Sequence, residues 1–315
     1  MSKQAFIEML VLDGCFIVEL FRKDAGVVQK GENDPIFSTS CMLQFLYHDL
    51  ILLENQIPWF VLELLFSLAR DSFETKSLLQ LALVFFDNIF SSEKSPIHLS
   101  LFANQEIQHI LDLIRSSLVL PLGEQQDQEE SSASWRSIAS ATSIKESGIS
   151  FRKVRSPSIL DVKFRRGALE MPSIFIQETI EPAFRNLISY EQCYPNCPPR
   201  VTSYAILLDN LINNEEDVEE LGKSGILINW LNPHDTTPFF KMLYHDTFVK
   251  EFYYRKLCWE VNEYQQKLWP KWRAFYTHNF FAKPWAIVSQ IAAAILLVLA
   301  ILLVLTFLQT IYSMK

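Results

Sequence analysis

Hydrophobic positions recur along this chain with two periods, and the change of period divides it. Over residues 6–21 (FIEMLVLDGCFIVELF) apolar side chains run nearly all the way round a helix, the mark of a buried one. Asp13-Gly14 interrupts that pattern and reads as a kink or a hydrogen-bonded buried carboxylate. A Gly, Asn, Asp and Pro loop follows at 31–35. In DLILLENQIPWFVLELLF (49–66) one apolar helix must end before Pro58, because proline disfavours a helical residue ahead of it. A second helix starts there, where a missing N–H costs nothing. The pair makes a tight corner, with Glu54 expected to hold it through a hydrogen bond. Residues 77–90 and 101–118 give two more helical patterns, and Asp112 and Arg115 fall three apart on the second as an expected surface pair.

After an acidic, serine-rich stretch at 123–134, too polar to order itself, the period drops to two. SGISFRKV (147–154) and SILDVKFRRGALEMPSIFI (158–176) alternate apolar with polar residues and predict short, half-buried strands in hairpins, with Arg166-Gly167 as a turn. Arg152, Lys153, Arg155, Lys163, Arg165 and Arg166 cluster here. Such cations suit either attraction to anionic lipid or the charged faces and edges of a small sheet. Helical spacing returns at 179–193, with Thr179 as cap and Pro182 in the first turn, then at 201–213, in an acidic helix stopped by glycine, and over 238–267.

From Trp285 to Ile311 no side chain is charged. At roughly 1.5 Å per residue such a helix crosses a hydrocarbon core of about 30 Å, so the pattern predicts a single transmembrane helix at 285–312. Trp272, Lys283, Trp285 and Tyr312 are the expected interface anchors, each with an apolar body and a polar tip. Lys267, Lys271, Arg273 and Lys283 precede the span and only Lys315 follows it, which places the large domain in the cytosol and the helix in a membrane, the plasma membrane foremost. The expected fold is mainly α, with a small central β-hairpin element and that membrane helix. Its expected parts are a helical lobe at 1–120, a mobile loop at 121–136, a mixed helix and hairpin part at 137–267, a juxtamembrane segment at 268–284 and the span.

Composition narrows the chemistry. Apolar residues make up 49% of 315 and aromatics 13%, enough for a sizeable core. A formal net charge of −8 argues against nucleic-acid binding, which wants a basic face. Five cysteines, an odd number, are not a disulfide framework, and Cys193 with Cys197 lacks the second pair or histidine of a metal site. Glu8, Asp13 and Glu19 break the apolar run a secretory signal needs. With 8 glycines there is no glycine-rich phosphate loop, nor is there a Gly-x-Ser-x-Gly elbow or a His-Glu-x-x-His pair. The sequence therefore assigns no catalytic, cofactor-binding or metal-ligating residue. Asp13, Asp49, Glu54, Glu191 and Asp209 sit within apolar helices, and two of them meeting in space would share a proton as acid–base pairs do. Helix caps and buried hydrogen bonds account for them equally.

Several stretches together resemble the plant-specific domain of unknown function 247 family: MLVLDGCFIVELF (9–21), DLILLENQIPWFVLELLF, SILDVKFRRGALEMPSIFI, FRNLISYEQC (184–193), VTSYAILLDNLI (201–212) and PWAIVSQIAAAILLVL with LQTIYS at the end. The resemblance implies a flowering-plant protein with one C-terminal membrane span, of a family whose activity is largely unassigned and some of whose grass members are proposed determinants of pollen–stigma self-incompatibility. It carries over no catalytic residue. Members of that family usually have a further N-terminal segment, with a Ser-Ile-Gly-Pro-Tyr-type motif, ahead of the stretch that begins here near Met1. The expected function is a membrane-tethered recognition or signalling module with an unknown protein partner. The alternative is a membrane-bound hydrolase or transferase using buried carboxylates.

Overall fold

The structure, a computed structural model, describes residues 2–39, 41–71, 73–90, 98–123, 136–177, 180–195, 197–229, 233–243, 249, 251–266, 292 and 295–303. The first helix, α1 (Lys3–Asp24), is capped by Ser2, whose hydroxyl accepts from the Ala5 amide, and ends in Arg22 and Lys23, where cations suit the helix dipole. It runs unbroken through Asp13-Gly14, and Asp13 is exposed. The glycine serves close approach instead: a Cβ at Gly14 would lie 2.5 Å from Leu65 Cδ1 on the helix packed across it. A short turn α2 (Pro35–Ser38) leads to α3 (Met42–Leu50), the corner, and α4 (Trp59–Ala69), which buries Trp59, Leu62 and Phe66.

Gln56, not Glu54, holds the corner. Its Nε2 donates to the carbonyls of Leu50 (2.9 Å) and Leu52 (2.6 Å), and its Oε1 accepts from the Leu111 amide at 3.0 Å. Glu54 is exposed. A side chain able to donate and accept at once satisfies more of a tight turn than a carboxylate, which only accepts.

Helix α5 (Leu78–Phe86) opens on a reciprocal Ser77–Gln80 capping box, and its Phe85 and Phe86 meet Phe21 and Tyr47 with ring centroids 4.5–6.2 Å apart. A 3₁₀ turn at Leu99–Phe102 precedes α6 (Ile110–Val119), and α7 (Ala141–Glu146) precedes the strands.

Strands β1 (Ser150–Val154), β2 (Lys163–Arg165) and β3 (Ala168–Pro172) form one sheet in the order β1-β3-β2. β2 and β3 are the expected hairpin, turning at Arg166 and Gly167 with φ of 52° and 74°. β1 departs from expectation by pairing parallel to β3, Ser150 opposite Ala168 through Val154 opposite Pro172. Alternation fixes which face a strand buries and leaves its pairing partner open. β4 (Ile174–Ile176) pairs parallel with a strand the pattern did not predict, β5 (Leu227–Asn229), too short for an alternation to show.

Between them come α8 (Ile180–Cys193), α9 (Arg200–Leu211) and α10 (Glu215–Lys223), and after β5 follow α11 (Pro233–Met242) and α12 (Arg255–Gln266). One hydrophobic core runs from Ile17 to Val261, with α9 at its centre and Val201, Tyr204, Leu207, Leu208 and Leu211 fully enclosed.

The expected transmembrane helix is not supported. Among the described residues no helix is long and apolar enough to cross a membrane. Apart from 292 and 295–303, residues 285–312 lie outside the described residues, as do the expected anchors Trp272, Lys283, Trp285 and Tyr312. The single-pass span, the membrane as partner and the plasma-membrane location that rested on it are corrected accordingly. The structure is mainly helical with a few strands.

Candidate functional site

Where α6, α8 and the start of α9 converge, the chain buries a charged centre. Glu191, in the last turn of α8, is at hydrogen-bond distance from Arg115 of α6: Arg115 Nε to Glu191 Oε1 is 3.0 Å. The same carboxylate caps α9, accepting from the amides of Val201 (3.0 Å) and Thr202 (2.9 Å) and from the Thr202 hydroxyl (2.7 Å). Arg115 also donates to the Pro198 carbonyl at 2.6 Å, so both ends of the Pro198-Pro199 turn are tied down. Four acceptor positions on Glu191 are thereby used.

Next to it, His109 is the N-cap of α6, its Nδ1 accepting from the Asp112 amide, while Asp112 Oδ2 accepts from the Gln108 amide at 2.9 Å. The His109 ring meets Tyr190 edge-on at 5.1 Å, and Tyr190 stacks on Tyr194. Burial lowers the His109 pKa from 6.5 against the pull of the Asp112 carboxylate. Burial and the Asp112 charge raise that of the Tyr190 hydroxyl, and burial pushes the Cys197 thiol up to about 11. So raised, the thiol holds its proton at neutral pH and little nucleophilic thiolate forms. Among the described residues, no three or more His, Cys, Asp or Glu side chains are placed to hold a metal ion.

The five acids that the sequence singled out do not gather. Asp13, Asp49 and Glu54 are exposed, Asp209 is half-buried on α9, and Glu191 alone is buried. Asp112 and Arg115, expected on the surface, are both buried, and Arg115 pairs with Glu191. The pattern missed Asp217, which is fully buried and accepts from the amides of Thr142, Asn213 and Asn214 and from the Thr142 hydroxyl, joining α7 to α10. Its signal was present: Asn214 followed three residues later by an acid is a capping-box spacing. Glu74, also buried, faces Arg22 at 3.1 Å.

A cavity of about 120 Å³ lies elsewhere, lined by Phe86, Phe90, Phe102, Leu113, Ile114 and Ile159 with Asp87, His98 and three serines among its polar positions. None of the buried carboxylates lines it. The polar centres thus brace helix ends, and none of their carboxylates lines the cavity at Phe86 or the one of about 640 Å³ between Ser143 and Gln265.

The surface offers more. The first half of α1 is exposed through Asp13, with Leu10 alone half-buried, although Phe6, Ile7, Met9, Val11 and Leu12 lie there. On α4, Phe60, Leu64 and Leu68 form an outward apolar stripe at spacings of four, 71%, 58% and 77% exposed.

Residues 1–299 match the sequence model of the DUF247 family, described as plant protein of unknown function. The chain is 31% identical over 319 residues to UPF0481 protein At3g47200 of Arabidopsis thaliana, a match covering 93% of this chain and 66% of that protein. It is 26% identical over 199 residues to Putative UPF0481 protein At3g02645 of the same plant, covering 62% of this chain and 35% of that protein. The chain thus spans about two thirds of the length of one curated relative and about a third of the other. No solved structure matches. On the family match over nearly its whole length, this chain belongs to the DUF247 family of plant proteins of unknown function.

Proposed function

We propose that this chain is a protein-recognition module whose docking surface is the exposed side of α1 and α4. The observation that carries the reading is the apolar first half of α1, exposed among the described residues. A helix apolar on all sides is ordinarily buried, and each large side chain kept exposed forgoes about 1.5–3 kcal/mol of burial. Contiguous surface of this kind marks an interaction site. Two packed helices with outward apolar stripes suit an amphipathic helix laid against them, with anchors at spacings of three and four. Glu8, Asp13 and Glu63 stand exposed among those stripes, so the fitting partner helix carries basic residues beside its apolar face. The same acidic rim on two copies would oppose self-association.

The hydrolase or transferase reading draws no support from the geometry. Glu74, Asp112, Glu191 and Asp217 are each engaged by a cation, a backbone amide or both, and none faces the cavity.

A photo-crosslinking residue at position 12 or 64 tests the reading in plant extract. One heterologous adduct is expected, lost on Leu68→Glu with the unfolding midpoint unchanged, and the crosslinked partner peptide should be an amphipathic basic helix. Adducts only between copies of this chain, or none, overturn it.

A further inference from the structure

The outer face of the β1-β3-β2 sheet carries a second and separate pattern. Leu169 and Met171 of β3 are buried, and Phe151 of β1 and Phe164 of β2 pack half-buried against the same core. Strand alternation therefore turns Arg152, Lys163, Arg165 and Glu170 to the opposite face. The register sets them in rows: Arg152, Glu170 and Lys163 lie side by side across the three strands, and Arg165 lies one row away beside Ala168 and Ser150. Glu170 takes Arg152 at 3.0 Å, and Asp161 takes Lys163 at 2.7 Å. Arg155, Arg165 and Arg166 remain exposed and make no ion pair among the described residues.

Arg166 is the informative one. It is the one non-glycine residue with positive φ among the described residues, at 52°. A two-residue hairpin turn of this hand favours Asn, Asp or Gly there, and a bulky side chain is strained. The next position, Gly167, is fixed by α12: a Cβ there would sit 2.5 Å from the Tyr264 hydroxyl. The tip thus places Arg165 and Arg166 in succession, the second against local backbone preference. Protection of sheet edges explains charges along an outer strand but does not require an arginine at the turn.

We infer that this sheet face is a recognition surface for an extended acidic segment of a polypeptide partner. Alternate residues along a strand rise about 7 Å per pair, so Lys163 and Arg165, two apart on β2 and on the same face, stand at the spacing of carboxylates at every second residue of an extended chain. Guanidiniums add paired donors in a planar fork suited to carboxylate. The surface is basic in a chain whose formal net charge is −8, so it stands out electrostatically from the rest of the molecule. It shares no residue with the α1 and α4 face and does not depend on that reading.

The test is titration of the full chain with a synthetic peptide of alternating Glu and Thr, against a peptide of the same composition with its Glu residues in one block. The alternating peptide is expected to bind more tightly, and binding to weaken with salt. Arg165→Ala and Arg166→Gly are each expected to weaken it about tenfold. Arg166→Gly should leave the unfolding midpoint unchanged or raise it, because glycine accepts positive φ freely. Equal binding of the two peptides, or unchanged affinity in both variants, overturns the inference. So does a lowered midpoint in Arg166→Gly, which would show the arginine held for packing.

Discussion

Arg115 and Glu191 stand 76 residues apart in the chain and 3.0 Å apart in space, joining α6 to the end of α8 and, through Glu191, to the first turn of α9. The pair is 9% and 0% exposed, so neither charge has water to fall back on. Truncating one member strands the other. Glu191→Ala and Arg115→Ala are each expected to cost about 3–5 kcal/mol in denaturant unfolding. The double replacement Arg115→Met with Glu191→Leu should cost clearly less than the sum of the two, because it leaves no buried charge unpaired. Additive losses would show the two groups to be independent.

The corner between α3 and α4 makes a sharper distinction. Gln56→Ala removes three hydrogen bonds from buried or half-buried backbone groups and should destabilise the chain by about 2–4 kcal/mol. Glu54→Ala, at an exposed carboxylate, should stay within about 0.5 kcal/mol. Chemical denaturation of the two variants side by side reads the difference.

Tyr204 lies at the centre of the core with its hydroxyl fully buried and without a hydrogen-bond partner among the described residues. Its ring stacks on Phe184 at 6.2 Å and tilts towards Tyr254. Tyr204→Phe keeps the ring and removes an unsatisfied polar group, so it is expected to raise stability by about 1 kcal/mol. Replacement by Leu should lower stability, through the cavity left by the lost ring. Thermal unfolding of both variants tests the sign.

His109 sets an acid limit. Its folded pKa is lowered from 6.5 by burial, so the unfolded chain takes up a proton before the folded chain does. The stability it contributes is full above that value and is lost as pH falls from 6.5 towards the lowered folded value. Between about pH 7.5 and 5.5 the unfolding midpoint should therefore fall. His109→Asn keeps a capping side chain and should flatten that slope. An unchanged slope would assign the pH dependence to other groups.

Much of the local structure is legible in the residues. Pro58 and the apolar run after it set the start of α4, Ser77 with Gln80 announces α5, and Arg166-Gly167 marks the hairpin tip, because caps and turns depend on a few neighbouring side chains. The chemistry of the buried centre was only half legible. Glu191 could be singled out as an acid in apolar company. Its partner Arg115 could not be, since helical spacing places it beside Asp112 and says nothing of a helix 76 residues on.

By itself the sequence determined the two periods, the caps, the turn residues and the family likeness, all properties of neighbours along the chain. Only the tertiary structure decided that β1 runs parallel to β3, that Gly14 is a crossing point instead of a break, and that the largely apolar first half of α1 is exposed among the described residues. The physical reason is common to all three. Periodicity states which side chains seek cover, whereas cover itself depends on which distant segments arrive, and that is fixed by the closing of long loops and the packing of the whole core.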